Sequence, residues 1–238
     1  MKQTPPCFFG FSRRALALCG AALLLFSGCG ANPGKASAGS GLYAASLSEA
    51  EVFIDLPTLR QYGDYTCGAT CVQMLMNALF PYEGDRNLTG YEEALGTTPE
   101  AGTPPEAITH FFEDTGVAFT ATQNLTLSDL KAALSAGHPV LLPLQAWSAD
   151  GSYNVDDPTD PETYLAEGHW VICVGYADAA HPYFIFNDPA CVGHTLIAAD
   201  EFDRRWIDQS GDGTVYDHYG ITITQPIPYD PQGLFYME

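Results

Sequence analysis

Gln61-Tyr62-Gly63-Asp64-Tyr65-Thr66-Cys67-Gly68 reads as a loop running into a helix, and the rest of the chain is arranged around that junction. Thr66 is placed to start a helix from Cys67 through Phe80, with Val72, Leu75, Met76 and Leu79 along one side. A cysteine in the first turn meets free N–H groups and the positive end of the helix dipole, and both favour thiolate. Gln61, six residues earlier, can turn its side-chain amide with the Cys67 N–H toward a developing oxyanion. Gly68 is read as leaving room for a substrate backbone beside the sulfur.

Two further fragments supply what a thiol needs. In Gly168-His169-Trp170-Val171, His169 opens a strand and can hold a proton for a leaving amine. In Phe186-Asn187-Asp188-Pro189, a carboxylate or an amide ends the neighbouring strand and can fix the imidazole tautomer. Adjacent strand residues point to opposite faces, so only one of Asn187 and Asp188 can reach His169. Trp170 is expected to pack rather than to recognise.

Working outward, Pro104-Pro105 open a helix through Asp114 that Gly116 closes. Val117 to Thr122 alternates like a strand, and Thr126 to Asp129 has capping-box spacing for a short helix to Ala136. Val140–Leu144, His169–Tyr176, Tyr183–Phe186 and Ile221–Thr224 suit central strands, and Asp200–Trp206 a last helical segment. Helices first and strands later, with short connections among the strands, predict an α+β domain with a mostly antiparallel sheet and one core.

Gln61-x5-Cys67-Gly68-Ala69, Gly137-His138-Pro139-Val140-Leu141, His169-Trp170-Val171-x3-Gly175-Tyr176 and Asn187-Asp188-Pro189 together resemble papain-like cysteine peptidases. The nearer likeness is to the bacteriocin-processing (double-glycine leader) peptidase branch and its stand-alone relatives, over roughly residues 55–210. The resemblance implies a papain-like fold, with an N-terminal helical part carrying the nucleophile against a sheet carrying His and Asp. It makes Cys67 the nucleophile, His169 the general base and acid, Asp188 the orienting residue and Gln61 the oxyanion donor, with no cofactor. The second cysteine stands at Cys71 rather than three residues after Cys67, and no Trp follows Cys67. The exporter context of that branch is also missing from the pattern, so a double-glycine leader substrate is not expected from the match alone.

Other patterns are weaker. Cys71, one turn deeper than Cys67, reads as core. Cys67, Cys71, His169 and Cys173 suggest zinc on paper, but His169 and Cys173 on one strand lie about 13 Å apart, so no metal is expected. A disulfide between Cys173 and Cys191 is left open by spacing alone. Asp208-x-Ser210-x-Asp212-Gly213 matches half of a calcium loop, yet Tyr219 stands where the bidentate Glu belongs. The run Asp156 to Glu162 reads as a solvated acidic loop that could border the cleft and repel acidic substrates.

The 238 residues are 46% apolar, 12% aromatic and 16% charged, which excludes collagen, coiled coil and bulk disorder. Nine Lys and Arg against 29 Asp and Glu give a formal charge of −20, a poor surface for nucleic acid or an anionic membrane. Lys2, Arg13 and Arg14 precede an uncharged run from Ala15 to Phe26, too short to span a bilayer, so 1–28 reads as an export signal. Leu25-Phe26-Ser27-Gly28-Cys29 resembles a lipobox, with Cys29 acylated and made the new N-terminus. Ser12-Arg13-Arg14-Ala15-Leu16 resembles a twin-arginine signal as well, though any export signal needs such charges. The small, Gly/Ser-rich residues 29–50 form a flexible tether, and 51–238 the peptidase domain.

The expectation is an exported, monomeric cysteine peptidase-like hydrolase, anchored by lipid to the outer side of the cell membrane. It would act on a peptide or protein through a Cys-His-Asp triad. Two alternatives stand beside it: a catalytically silent papain-like binding module at the cell surface, and a thiol amidase or acyltransferase working on a non-protein amide.

Overall fold

The computed structural model describes residues 45–81, 88–146, 152–191 and 193–233. These lie in one compact unit, Ala38–Glu238. The expected leader, Cys29 and the tether as far as residue 44 fall outside the described residues. The end of the expected tether is part of the fold. Leu47–Glu49 form a 3-10 turn capped reciprocally by Ser46 and Glu49, and Ala45 and Ala50 pack on the core.

The strands in chain order are β1 (Val52–Phe53), β2 (Phe119–Thr122), β3 (Val140–Gln145), β4 (Gly168–Ala177), β5 (Tyr183–Asn187), β6 (His194–Ala198), β7 (Ile207–Gln209), β8 (Val215–Asp217) and β9 (Gly220–Ile223). One sheet runs β2-β9-β3-β4-β5-β6, with β1 continuing beside the far half of β4, while β7 and β8 make a separate hairpin. Every pairing among these strands is antiparallel. β4 is the spine: Gly168–Cys173 pair with β3, and Gly175–Tyr176 with β1. Gly175 permits that second pairing, since a Cβ there would stand 2.4 Å from the Val52 carbonyl oxygen.

The helices are α1 (Cys67–Leu79), α2 (Leu88–Leu95), α3 (Pro105–Thr115), α4 (Leu127–Ser135) and α5 (Ala199–Arg205). Strand alternation feeds two apolar layers. Trp170, Ile172 and Val174 of β4 join Val72, Leu75 and Phe112 on the face covered by α1 to α3. Val171 and Cys173 join Leu134, Phe186 and Phe202 on the face covered by α4 and α5. The expected α+β architecture is present, and the expected single core is two clusters on the two faces of one sheet.

Local signals play out as their chemistry requires. Gly116 ends α3 in the left-handed region at φ 72°, and Thr126 and Asp129 make both bonds of a capping box on α4. Thr66 behaves differently. Its hydroxyl donates back to the Gly63 carbonyl at 3.3 Å and makes no capping bond, so the first turn of α1 lacks a side-chain cap. The half calcium pattern is a hairpin turn: the Asp212 carboxylate accepts from the Ser210 hydroxyl and, at 2.9 Å, from the Thr214 N–H. Among the described residues no three or more His, Cys, Asp or Glu side chains are grouped so as to hold a metal ion. No helix among them is long and apolar enough to cross a membrane.

Candidate active site

α1 packs on β4 and brings Cys67 beside His169 at the start of that strand, while β5 ends alongside with Asp188. All three are withdrawn from water, with exposures of 6%, 4% and 7%. His169 Nε2 lies 2.9 Å from Asp188 Oδ1. An ionised carboxylate only accepts, so Nε2 carries the proton and donates. The same ring is hydrogen-bonded to Cys67, which leaves Nδ1 as the nitrogen available to the sulfur.

The electrostatics follow from those contacts. Burial alone would lower the His169 pKa, but the bonds to Asp188 and Cys67 outweigh it and raise it to about 9. Burial alone would raise Asp188, but donors led by His169 hold its carboxyl below the usual range. Those donors include the Ala190 N–H at 2.9 Å and the Cys191 thiol at 3.7 Å, and the Thr195 hydroxyl lies 3.4 Å from Oδ2.

Asn187 faces away from the imidazole. Its side-chain amide donates to the Pro57 carbonyl at 3.2 Å and the Leu56 carbonyl at 3.4 Å. Of the two neighbours, Asp188 is therefore the one that reaches His169. Gln61 sits on the approach to α1, with its backbone N–H donating to the Pro189 carbonyl at 2.7 Å. Its side-chain amide is turned into its own loop, giving one N–H to the Gly63 carbonyl at 2.7 Å while Oε1 is buried without a partner. The second N–H of that amide remains to be given.

The room expected beside the sulfur at Gly68 is already filled. A Cβ there would stand 2.5 Å from the Thr103 Cβ and 3.1 Å from a Trp170 ring carbon. Trp170 packs as expected, its indole N–H donating to the Thr103 carbonyl at 3.0 Å. Cys71 is fully buried, donates to the Trp170 carbonyl at 3.4 Å, and is kept a thiol because burial raises its pKa well above the ordinary value. Burial likewise raises Cys173. Cys173 and Cys191 are both free, so the disulfide left open by their spacing is not formed.

Two cavities meet the pair. One of about 610 Å³ is lined by Cys67, Tyr65, Thr103, Gly168 and Trp170, and another of about 340 Å³ by His169, Asp188, Cys191 and Thr195. The acidic loop Asp156–Glu162 lines neither, although Leu165 and Ala166, which follow it, line the larger.

Sequence reasoning missed the role of Asp208, which also lines the larger cavity. Its Oδ1 accepts from Gln145 Nε2 at 3.0 Å. A Cβ on Gly168 would stand 2.6 Å from that oxygen, so glycine there lets the carboxylate lie against β4. Burial pushes Asp208 up to about 7, against bonds from Gln209 and Gln145. The one local signal at this residue, Asp-x-Ser-x-Asp-Gly, points to a different chemistry.

With this geometry in hand, the comparisons with known proteins are specific. Residues 53–213 match the Peptidase_C39-like family. A C39-like peptidase from Bacillus anthracis is 10% identical with a TM-score of 0.50, covering 74% of this chain and 98% of its own. A double-glycine-motif protease from an AMS/PCAT transporter, solved with a leader peptide, is 17% identical with a TM-score of 0.47, covering 73% and 96%. The peptidase domain of Streptococcus ComA, a bifunctional ABC transporter of a quorum-sensing pathway, is 13% identical with a TM-score of 0.47, covering 72% and 99%. No curated protein matches the sequence.

Proposed function

The chain belongs to the Peptidase_C39-like family, and on that premise we propose that it is a cysteine peptidase working through Cys67, His169 and Asp188. The observation that carries the reading is the buried relay in which one imidazole bonds both the Asp188 carboxylate and Cys67. The Cys67 thiolate attacks the scissile carbonyl carbon, and the C=O electron pair moves onto oxygen. The Cys67 N–H, in an uncapped first turn, and the spare amide N–H of Gln61 stabilise that oxyanion. When the intermediate collapses, His169 gives its proton to the departing amine and a thioester remains. A water that loses its proton to His169 then attacks the thioester, releasing the acid and restoring the thiolate. Asp188 holds the ring throughout.

The test is alkylation by iodoacetamide across pH, with peptide mapping. Cys67 is modified at neutral pH, and His169→Ala abolishes that labelling because the thiol loses the imidazole that takes its proton. Equal labelling of His169→Ala from pH 5 to 9 rejects the relay.

We also propose that the protein is exported and held on the outer face of the cell membrane by lipid on Cys29, and that it acts as a monomer on a peptide or protein. The support is the charge and apolar pattern of 1–28 and the Leu25–Cys29 motif. Cys29→Ser leaves the chain uncleaved or released from membranes. A native chain that is fully soluble outside the cell and cleaved elsewhere overturns the anchor.

A further inference from the structure

The cavity into which Cys67 opens has a one-sided charge. Asp64, Glu100, Glu106, Asp208 and Asp212 line it, and no Lys, Arg or His does. Four of these acids are exposed at its rim, whereas Asp208 is partly buried, laid against Gly168 and fixed by Gln145. Gln145 is itself 1% exposed, gives its other amide hydrogen to the Ile207 carbonyl and accepts from the Glu167 N–H, so it cannot swing away. Asp208 is in none of the ion pairs among the described residues, where Lys131 is taken by Asp178 and Arg205 by Glu201, and the charged group its carboxyl faces is the His169 imidazolium. The acids alone would be a solvated rim. Their position around a nucleophile gives the charge a purpose.

We propose that the larger cavity is a subsite for a basic group, in which Asp208, seconded by Glu106, pairs with a lysine or arginine side chain of a peptide bound across Cys67. The proposal rests on Cys67 being the nucleophile and names the substrate class for that same site. A cation entering here meets a carboxylate already held in place, so little ordering cost is left to binding. An acidic substrate meets four exposed carboxylates at the rim with Asp208 behind them, and is turned away. Tyr216, whose hydroxyl donates to Glu106, keeps that second carboxylate at the cavity wall. The groups facing Asp208 are Gln145 from β3, Gly168 and His169 from β4 and Gln209 from β7, and of these only His169 titrates.

The experiment uses two methanethiosulfonates, one with a trimethylammonium tail and one with a sulfonate tail, at pH 8 and in 0.5 M salt, on the full chain. High salt screens the long-range field of the acidic surface and leaves the local one. Asp160→Asn removes one charge from the exposed loop and sets the background. We expect the cationic reagent to modify Cys67 at least about tenfold faster than the anionic one, Asp208→Asn to remove most of that ratio, and Glu106→Gln to remove less. In peptides carrying lysine, norleucine or glutamate at single positions around the cut, the same variant removes a preference for lysine. Equal rates for the two reagents at Cys67, or a ratio that Asp208→Asn leaves as Asp160→Asn does, overturn the subsite alone. Modification of Cys191 in place of Cys67 overturns the nucleophile assignment, and the subsite falls with it.

Discussion

The backbone N–H of Gln61 donates to the Pro189 carbonyl at 2.7 Å, joining the loop before Cys67 to the turn after Asp188. Asn187 makes a second tie, holding the Leu56 and Pro57 carbonyls with its amide. Two ends of the relay that lie 121 residues apart in the chain (67 and 188) are thus fastened to each other by a main-chain bond and by the Asn187 side chain, and not only through the imidazole.

Asn187 and Asp188 are therefore expected to separate stability from turnover. Asn187→Ala takes its donor from the buried Leu56 carbonyl and the part-buried Pro57 carbonyl and costs about 1–3 kcal/mol. Asp188→Asn keeps a hydrogen-bonding group of the same shape, so it lowers kcat far more than it lowers stability, and it lowers turnover more than alkylation of Cys67. Denaturant unfolding beside steady-state kinetics checks the contrast. An Asn187→Ala protein with unchanged unfolding midpoint removes the tie.

The pH response has a definite sign. His169 is raised to about 9, above its ordinary value of about 6.5, so its charged form stabilises the fold fully below that value and the contribution is lost as pH rises through about 9. Asp208, raised to about 7, makes stability fall as pH climbs from the ordinary carboxylate range to that value. Activity should share the alkaline limb near 9, and Asp188→Asn should move that limb to lower pH. Melting curves and kcat/KM profiles from pH 5 to 10 test both, and an alkaline limb unmoved by Asp188→Asn assigns it to another group.

The two cysteines of α1 should respond in opposite ways. Cys67→Ser preserves the fold and abolishes hydrolysis, because a hydroxyl is a far weaker nucleophile in a site built for a thiolate. Cys71→Ser keeps activity per folded molecule. Its hydroxyl inherits the Trp170 carbonyl as acceptor, so the loss of stability falls near 1 kcal/mol, the low end for a buried hydroxyl. Labelling at Cys71 while Cys67 stays silent overturns the pairing.

Gln61→Ala should cut kcat by about 10²–10³ while Cys67 alkylation continues, since it removes a donor to the oxyanion and leaves the His169 contact alone. A variant that loses alkylation in parallel with kcat shows Gln61 to act through the loop, by way of its bond to Gly63.

Elements with a strong local cause were legible in the sequence. α1 has helical periodicity, α3 has Pro105 and a closing glycine, and α4 has a capping box. α2 was missed: Gly90 interrupts its short apolar pattern. β1 has two residues, and β6 is an outer strand whose five residues are all half-buried, so neither offers an alternation to read. The sequence also singled out Cys67, His169 and Asp188, which do come together, because a thiol, an imidazole and a carboxylate in that order carry their own chemistry. Asp208 carries none alone. Its character comes from Gln145 and Gly168, 63 and 40 residues away, and the local pattern around it belongs to a hairpin turn. Gly68 was misread for the same reason, since Thr103 is what fills the space beside it.

That last contact has a consequence for how the sequence is free to drift. Gly68 and Thr103 share a single volume, with a Cβ on one position 2.5 Å from the Cβ of the other. A change to alanine at 68 alone is closed, and so are larger replacements, whereas Thr103→Gly vacates the two nearest atoms and leaves a Trp170 ring carbon at 3.1 Å. Positions 68 and 103 form one unit of inheritance: a variant with a side chain beside the nucleophile is reachable only through a chain that first gives one up on the loop opposite.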